Sequence, residues 1–383
     1  MPRESLLTIR LTECTGHAAF MVACLTTRTF VQFWGIMPLI SHELSEDMDP
    51  LDRNIEISEE ERRAGALSVE NRKLGAMLLH GRGYVLLKNA VPEKLVTELR
   101  TAFRDIFIDC KASMGDATSR ELTVGAATKT IFWQRNSRFR IFPRLTGPFS
   151  NCFVLANPFA LAILSETLGD GFYCKSVSSD TCLKGALRQA PHRDLDFYDG
   201  AKPFGATINI PIMHCGLHNG PLEVWPGGTH LWHGEKFFKF GVLPYVQDGA
   251  NPSVEALMEH LPSKKIELVP GDLLLRDPGM WHRGNPNPTD EPRTMLTTSY
   301  FRPTFYYDYG DPLHNLDEEL FAALDPSIKS MFAYAFDKTS PFYQKLRRAR
   351  AYRAIQSRPV LGAPLRIGER WYERVRDAVR RAG

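Results

Sequence analysis

The spacing of apolar residues divides the chain into a helical first part, a β-rich middle and a helical tail. From Ser58, charged and apolar positions recur at helical spacing as far as Gly81-Arg-Gly83, with Ser58 as the expected N-cap. A short buried strand is predicted at 84–88, and a second amphipathic helix follows to about Cys110. Residues 112–130 are polar and rich in Gly and Thr, which is typical of a mobile loop.

The middle of the chain has the pattern of a β domain. A third helix is expected over 158–168 and strand material over 171–179. Short β-rich runs then alternate with Pro, Gly and Asn turns. They cover 206–213, 222–225, 265–269, 272–276 and 294–302, with a long candidate loop over 235–264. Many short, turn-bounded strands indicate an antiparallel sandwich or barrel, of which the jelly roll is one form.

The predicted fold class is α+β, because helices flank a β core of about 171–303. Residues 1–50 do not resemble the rest and are expected to be an N-terminal extension, so 51–383 is predicted to be a single domain. The tail returns to helix over about 316–381. Its candidate helices are 325–337, 342–357 and 369–381.

The composition is that of an ordinary soluble globular protein, with 43% hydrophobic and 24% charged residues. The formal net charge of +3 gives no electrostatic reason to expect nucleic acid or a membrane surface as a partner. Seven scattered cysteines without a Cys-x-x-Cys pair predict reduced thiols in an intracellular protein. The oligomeric state cannot be read from the sequence.

The apolar stretch 17–40 is interrupted by Thr, Arg and Gln, so it is a poor membrane span. It also lacks the basic start and clean apolar core of a signal peptide. A cytoplasmic location is expected. The alternative is a peroxisomal one, because Arg10-Leu11 and His17-Ala18 resemble the degenerate N-terminal import signal.

His192 and Asp194 are the first candidate functional residues. If this stretch is extended, residues i and i+2 point to the same side, so an imidazole and a carboxylate lie side by side. They are two thirds of the 2-His-1-carboxylate triad that holds non-haem Fe(II). The pattern alone is weak, since with 11 His and 44 acidic residues in 383 roughly one His-x-Asp/Glu arises by chance. His233-Gly-Glu235 is a second example.

Two further residues, much later in the chain, make the pattern more specific. His282 follows an apolar strand that starts at a Pro-Gly-Asp turn, and it would supply the second imidazole. Arg293 stands eleven residues later, after a turn, and a hairpin of that length returns it alongside His282. An iron oxygenase that uses 2-oxoglutarate needs a cation at such a place, because the distal carboxylate of the cosubstrate binds best to a bidentate guanidinium.

The sequence resembles the phytanoyl-CoA dioxygenase family of Fe(II)/2-oxoglutarate oxygenases over about 75–303. The resemblance rests on a set of short motifs. They are Gly83-Tyr-Val-Leu-Leu-Lys-Asn, Gln189-x-x-His192-x-Asp194, Asn219-Gly-Pro-Leu-Glu-Val-Trp-Pro-Gly-Gly-Thr-His230, Gly271-Asp-Leu-Leu-Leu-x5-Trp281-His282-Arg-Gly-x-x-Asn287, and Arg293 with Tyr300. The family fold is a double-stranded β-helix, a jelly roll with flanking helices, which agrees with the strand pattern.

The resemblance implies roles for individual residues. His192, Asp194 and His282 would be the iron ligands, and Arg293 would bind the distal carboxylate of 2-oxoglutarate. Gln189 stands where several members use a glutamine near the cosubstrate. Some members place a serine two residues after the second histidine to assist the arginine. Here that residue is Gly284, so a hydroxyl of Thr294 or Thr229, or a water, would have to take its place.

The implied reaction uses Fe(II), 2-oxoglutarate and O2, releases succinate and CO2, and hydroxylates a C–H bond; desaturation or ring formation are the other expected outcomes. A small, largely apolar molecule such as a secondary metabolite is the expected substrate, with Trp133, Phe197, Tyr198, Trp225 and Trp281 as candidate pocket residues. An acyl-CoA thioester is the alternative substrate. The rival classes are a cupin-like metalloenzyme without redox chemistry, and a jelly-roll binding module that does not catalyse.

Overall fold

In the computed structural model the described residues are 53–114, 121–122, 128–134, 137–194, 204–229, 252–302, 315–339, 341 and 343–344. The described strands are β1 (Ile55–Glu56), β2 (Tyr84–Lys88), β3 (Glu121–Leu122), β4 (Thr128–Gln134), β5 (Arg138–Pro143), β6 (Tyr173–Cys182), β7 (Gly205–Pro211), β8 (Leu222–Val224), β9 (Lys264–Ile266), β10 (Leu273–Arg276), β11 (His282–Gly284) and β12 (Arg293–Phe301). The described helices are α1 (Glu59–Ala64), α2 (Val69–Arg82), α3 (Glu93–Met114), α4 (Cys152–Leu155), α5 (Pro158–Leu168), α6 (Pro252–Glu259), α7 (Glu318–Ala323), α8 (Pro326–Lys329) and α9 (Ala333–Phe336).

The strands form two sheets. The large sheet has nine strands in the order β1-β2-β10-β7-β12-β6-β5-β4-β3, and the small sheet has the order β11-β8-β9. Neighbouring strands are antiparallel except for β1 and β2. A large and a small antiparallel sheet with non-consecutive neighbours and flanking helices make a double-stranded β-helix. The predicted α+β jelly-roll class is confirmed.

The two faces of the large sheet have different neighbours, as β12 shows. On one face, the Tyr300 hydroxyl donates a hydrogen bond of 2.8 Å to the carbonyl of Leu155, so α4 covers this side. Side chains alternate along a strand, so Arg293, Met295 and Thr297 point to the other face. There Met295 packs in one buried cluster with Leu222, Val224 and Ile266 of the small sheet. The space between the sheets is therefore where residues of β12 and of the small sheet meet.

Two predictions for the first half of the chain were wrong. The helix predicted from Ser58 to Gly83 is two helices, because Gly65 adopts a left-handed conformation (φ 62°) that ends α1, and Ser68 caps α2. The Ser58 cap itself is present, since its hydroxyl accepts from the amide of Glu61. The expected loop 112–130 contains the end of α3 and also β3 and part of β4, which pairs with β5. A strand that depends on a distant partner is not visible in local composition.

The later elements also differ in part from the prediction. The candidate loop 235–264 contains α6, and the predicted helix 325–337 is divided into α8 and α9. The predicted helices 342–357 and 369–381 and the extension 1–50 lie outside the described residues, so the domain boundary stays a prediction. Among the helices that the structure describes, none combines the length and apolar character needed to cross a membrane.

Candidate metal centre

Backbone pairing brings the two predicted histidines together. His192 and His282 form an isolated antiparallel bridge, in which each amide donates to the other carbonyl at 3.0 and 2.9 Å. The segment of His192 thus lies along β11, the outer strand of the small sheet. The amide of Asp194 donates to the carbonyl of Pro278 at 2.9 Å. Residues 192–194 are therefore held by the backbone of residues 278–282.

Each histidine has one ring nitrogen fixed by the backbone. Nδ1 of His192 lies 2.9 Å from the carbonyl of Ala190, and Nδ1 of His282 lies 2.9 Å from the carbonyl of Met280. A carbonyl can only accept, so Nδ1 carries the proton in both rings and Nε2 has the free lone pair in the neutral imidazole. A histidine that binds a metal usually donates its other ring N–H to a carbonyl or carboxylate in this way.

The three predicted ligands converge. One ligand atom from each of His192, Asp194 and His282 can be chosen so that all lie within 4.8 Å of one another. Oδ1 of Asp194 lies 3.6 Å from Nε2 of His282. Two imidazoles and one carboxylate are the donor set of the facial triad, which binds Fe(II) from one side and leaves coordination positions open on the other.

The charges of the three groups also suit a divalent cation. Burial lowers the pKa of His192, and burial followed by the charge of Arg276 lowers that of His282 well below its usual range. Burial alone would raise the pKa of Asp194, but Arg276, His282 and His192 together hold it well below the ordinary value. At neutral pH the site therefore has two neutral imidazoles and one carboxylate, which are the forms that ligate metals.

Arg293 lies at the start of β12 on the face between the sheets. The predicted hairpin is not formed, because β11 with His282 belongs to the small sheet and β12 with Arg293 to the large sheet. Its side chain is buried, and its Nε and Nη1 atoms have no hydrogen-bond partner within the described part of the chain. In the strand register Arg293 is opposite Cys182, and Cys182 is opposite Arg138 on the next strand. Burial lowers the pKa of Arg138, and the nearby charge of Arg293 adds to this effect. Two buried guanidinium groups so placed favour an anion.

Gln189 connects the two ligand-bearing segments. Its side-chain Oε1 accepts from the amide of Gly284 at 2.8 Å, and its own amide donates to the carbonyl of Gly284 at 3.0 Å. A Cβ on Gly284 would lie 2.5 Å from Nη1 of Arg138 and 2.6 Å from Oε1 of Gln189. The place of the family serine is therefore filled by Arg138 and Gln189.

The two candidate substitute hydroxyls have other partners. The hydroxyl of Thr294 pairs with that of Thr181 at 3.0 Å, on the face opposite Arg293, and that of Thr229 donates to the carbonyl of Trp225. Trp225 and Trp281, which were weighed as pocket residues, are each 1% exposed and pack with Met258. The other aromatic candidates, Trp133, Phe197 and Tyr198, have side chains outside the described residues.

Two charged residues of this region were missed in the sequence. Arg138 lies between Ser137 and Phe139 outside the motifs, and Arg276 follows the apolar residues 273–275 at an unspecified position of the Gly271–Asn287 motif. For Arg138 the signal that could have found it is alternation. Arg138 and Arg140 alternate with Phe139 and Ile141 of the core, so these two arginines point to the other face of β5. Arg276 ends a continuous apolar strand and has no such signal.

The fold and this donor set define a class of protein, the jelly-roll enzymes with a mononuclear non-haem iron centre. A family model described as phytanoyl-CoA dioxygenase (PhyH) matches residues 79–295, which is more than half of the chain. The chain belongs to the phytanoyl-CoA dioxygenase family. It is an Fe(II)/2-oxoglutarate-dependent dioxygenase, and iron, 2-oxoglutarate and O2 are its cofactor and cosubstrates.

Several solved structures are similar to the chain at low identity. The epimerase SnoN in complex with Fe3+, alpha-ketoglutarate and nogalamycin RO is 18% identical, with 66% of this chain and 91% of that chain covered and a TM-score of 0.45. AviO1 from Streptomyces viridochromogenes Tue57 is 15% identical, with 63% and 99% covered and a TM-score of 0.44. EctD from S. alaskensis in its apoform is 17% identical, with 63% and 79% covered and a TM-score of 0.44. Because these identities and TM-scores are low, the assignment of the chain to its family rests on the family model alone.

Proposed function

We propose that His192, Asp194 and His282 hold the catalytic Fe(II), and that Arg293 binds the distal carboxylate of 2-oxoglutarate. The observation that carries the proposal is the convergence of these three ligand atoms within 4.8 Å of one another. The fit is chemical as well as geometric, since both Nδ1 atoms are occupied by carbonyls and leave Nε2 for the metal. When bound together, iron, 2-oxoglutarate and O2 supply the oxidant that removes hydrogen from a substrate C–H bond, with release of succinate and CO2.

The residues of the chain position the cosubstrate. Arg293 presents two buried donors without partners in the described residues, and an unpaired buried donor of this kind costs about 1–3 kcal/mol. A carboxylate that accepts from both removes that cost and forms a charge-assisted bidentate contact. Arg138 adds positive charge across Cys182, and Gln189 keeps the His192 segment against β11. Thr294 is not part of this proposal, because its hydroxyl is paired with Thr181.

The reaction that we propose is hydroxylation. Asp194 occupies the carboxylate position of the triad, and relatives that halogenate replace this residue to make room for a halide. The substrate that we propose is a small organic molecule, expected to be largely apolar, with an acyl-CoA thioester as the alternative. Succinate formation with each substrate class distinguishes the two, because turnover of 2-oxoglutarate is coupled to binding of the correct substrate.

We also propose that residues 51–383 form the oxygenase domain and that the protein is cytoplasmic, with a peroxisomal location as the alternative. The domain proposal is supported by β1, which starts at Ile55 and pairs with β2 of the large sheet. The alternative location depends on the sequence at Arg10–Ala18, so a fusion of residues 1–50 to a fluorescent protein would distinguish the two locations.

The experiment that tests the site is an anaerobic titration of the apo-protein with Fe(II) and 2-oxoglutarate. The visible metal-to-ligand charge-transfer band should appear in the wild type and be absent in His192→Ala. In Arg293→Met the affinity for 2-oxoglutarate should fall by at least about ten-fold, since a hydrogen bond to a charged group contributes about 1.5–3 kcal/mol.

Matched controls are available on the surface. His214→Ala removes a histidine that pairs with Glu267 at 2.9 Å, and Arg72→Met removes an arginine that pairs with Glu166 at 2.8 Å. Both variants should behave as the wild type. A folded, iron-loaded wild type without the band would reject the proposed site.

A further inference from the structure

The carboxylate of Asp194 is held by Arg276, a residue outside the predicted triad. Nη2 of Arg276 lies 2.7 Å from Oδ2 of Asp194, while the other oxygen, Oδ1, faces Nε2 of His282 at 3.6 Å. The two oxygens of one carboxylate thus have different neighbours. One pairs with a guanidinium, and the other points toward the two histidines.

Arg276 is itself well anchored. Its side chain is 7% exposed, whereas that of Asp194 is 37% exposed, so the rigid partner of the pair is the arginine. Nε of Arg276 donates to Oδ1 of Asn209 at 3.2 Å. Planar donors in a fixed fork lose little freedom when they bind, so the position of the guanidinium determines that of the carboxylate.

The anchoring continues across the large sheet. Nδ2 of Asn209 donates to the hydroxyl of Thr297 at 3.1 Å, and this hydroxyl donates to Oδ2 of Asp180 at 3.1 Å. Nη2 of Arg140 pairs with the other oxygen of Asp180 at 3.4 Å. This row of side chains crosses β10, β7, β12, β6 and β5 on the face that looks toward the small sheet. The support of Asp194 is therefore the large sheet, while both histidines belong to the region of the small sheet.

We propose that Arg276 is a positioning residue of the metal centre, which reserves Oδ2 of Asp194 so that the carboxylate binds the metal through Oδ1 alone. The inference rests on the proposed function of the triad. If His192, Asp194 and His282 each gave one donor atom to the iron, coordination positions would stay open for the keto-acid and O2. A carboxylate that bound through both oxygens would occupy one of these. Arg276 prevents this by holding one oxygen in a charge-assisted hydrogen bond.

The test compares metal binding in Arg276→Met, Arg276→Lys and Asn209→Ala with the wild type. Co(II) and Fe(II) affinities are measured anaerobically, and the charge-transfer band with 2-oxoglutarate is recorded at saturating Fe(II). In Arg276→Met we expect a loss of about ten- to a hundred-fold in metal affinity, the usual effect of removing an outer-shell partner. At saturating metal the band should be weaker or shifted, because the carboxylate is free to take a position that the keto-acid needs.

The other variants separate positioning from general stability. Arg276→Lys keeps a cation near Oδ2 and should recover part of the affinity, and Asn209→Ala should lose less than Arg276→Met. Arg144→Met is the control. It removes an arginine that pairs with Asp317 at 2.8 Å outside the row of side chains that supports Asp194, so it should keep wild-type metal affinity. If Arg276→Met does not fold, Arg276→Lys and Asn209→Ala carry the comparison.

The outcomes also distinguish this inference from the proposed function. A wild type that shows the band, with Arg276→Met and Asn209→Ala equal to it within about two-fold in metal affinity and unchanged in band position, overturns the role of Arg276 and leaves the triad intact. A folded wild type without the band overturns the triad itself.

Discussion

Gly284 shows how the absence of one side chain leaves room for a buried arginine, Arg138. Some members of the family have a serine here, and adding one would restore that residue. The structure predicts the opposite result. A Cβ would lie 2.5 Å from Nη1 of Arg138, and Nη2 of the same guanidinium donates a 2.6 Å hydrogen bond to the carbonyl of Asn285. Gly284→Ser should therefore displace Arg138, weaken 2-oxoglutarate binding several-fold and cost about 1–3 kcal/mol of unfolding free energy, as overpacking usually does.

Calorimetric titration of 2-oxoglutarate and denaturant unfolding measure both effects. The companion variant is Gly284→Ser with Arg138→Gln, which removes the nearest atom and should regain part of the stability, and Arg138→Gln alone is the control. Tighter cosubstrate binding in Gly284→Ser would show that Arg138 is not what excludes a serine.

At the residue scale, the sequence predicted the groups whose spacing is short. His192 and Asp194 need only an extended segment. The place of Arg293 depends on the fold, because β11 and β12 belong to different sheets and form no hairpin. Arg276 and Gly284 could not be interpreted in the same way, because their importance depends on partners such as Asp194 and Arg138 that are distant in sequence.

At the scale of elements, Gly75 of α2 packs closely against Ile163 of α5. A Cβ on Gly75 would lie 2.4 Å from Cδ1 and 2.7 Å from Cγ1 of Ile163, which is fully buried. Alanine is the better helix former by about 1 kcal/mol, yet Gly75→Ala should be destabilising, because overpacking costs about 1–3 kcal/mol.

A double-mutant cycle with Ile163→Ala isolates this contact. That variant removes both crowded atoms, so Gly75→Ala should be less harmful or even stabilising in its background, with a coupling above about 1 kcal/mol in denaturant unfolding. Additive effects would mean that Ile163 adopts another rotamer without cost.

An element could be predicted when the contacts that determine it are local in the sequence, and it was missed when they are not. Helix 158–168 and strand 84–88 were predicted with the observed bounds, since their apolar periodicity and flanking turns are local. The division between α1 and α2 was missed because the apolar pattern continues through it, while a single left-handed Gly65 ends the helix. β4 was missed because its partner β5 determines it.

At the scale of the whole molecule, the metal site joins parts of the chain that only the fold brings together. His192 and Asp194 precede β7, whereas His282 lies on β11 of the small sheet, and Arg276 connects Asp194 to the large sheet. The general class was predictable because it depends on these few groups. The substrate was not, because the same fold and triad serve many substrates and neither specifies which molecule is bound.

Because the unfolded chain does not hold these ligands together, metal binding must stabilise the fold. Mn(II) at about a hundred times its Kd should add about 2.7 kcal/mol to the unfolding free energy, and an unreactive analogue of 2-oxoglutarate should add a further increment. Thermal unfolding by circular dichroism should show Tm rising by several degrees and returning when a chelator is added. In His282→Ala the stabilisation by Mn(II) and the further stabilisation by the analogue should both be lost. In Arg293→Met the metal increment should remain while that of the analogue is reduced, and Arg72→Met should keep both. An equal metal-dependent rise in His282→Ala would place the stabilising metal elsewhere on the protein.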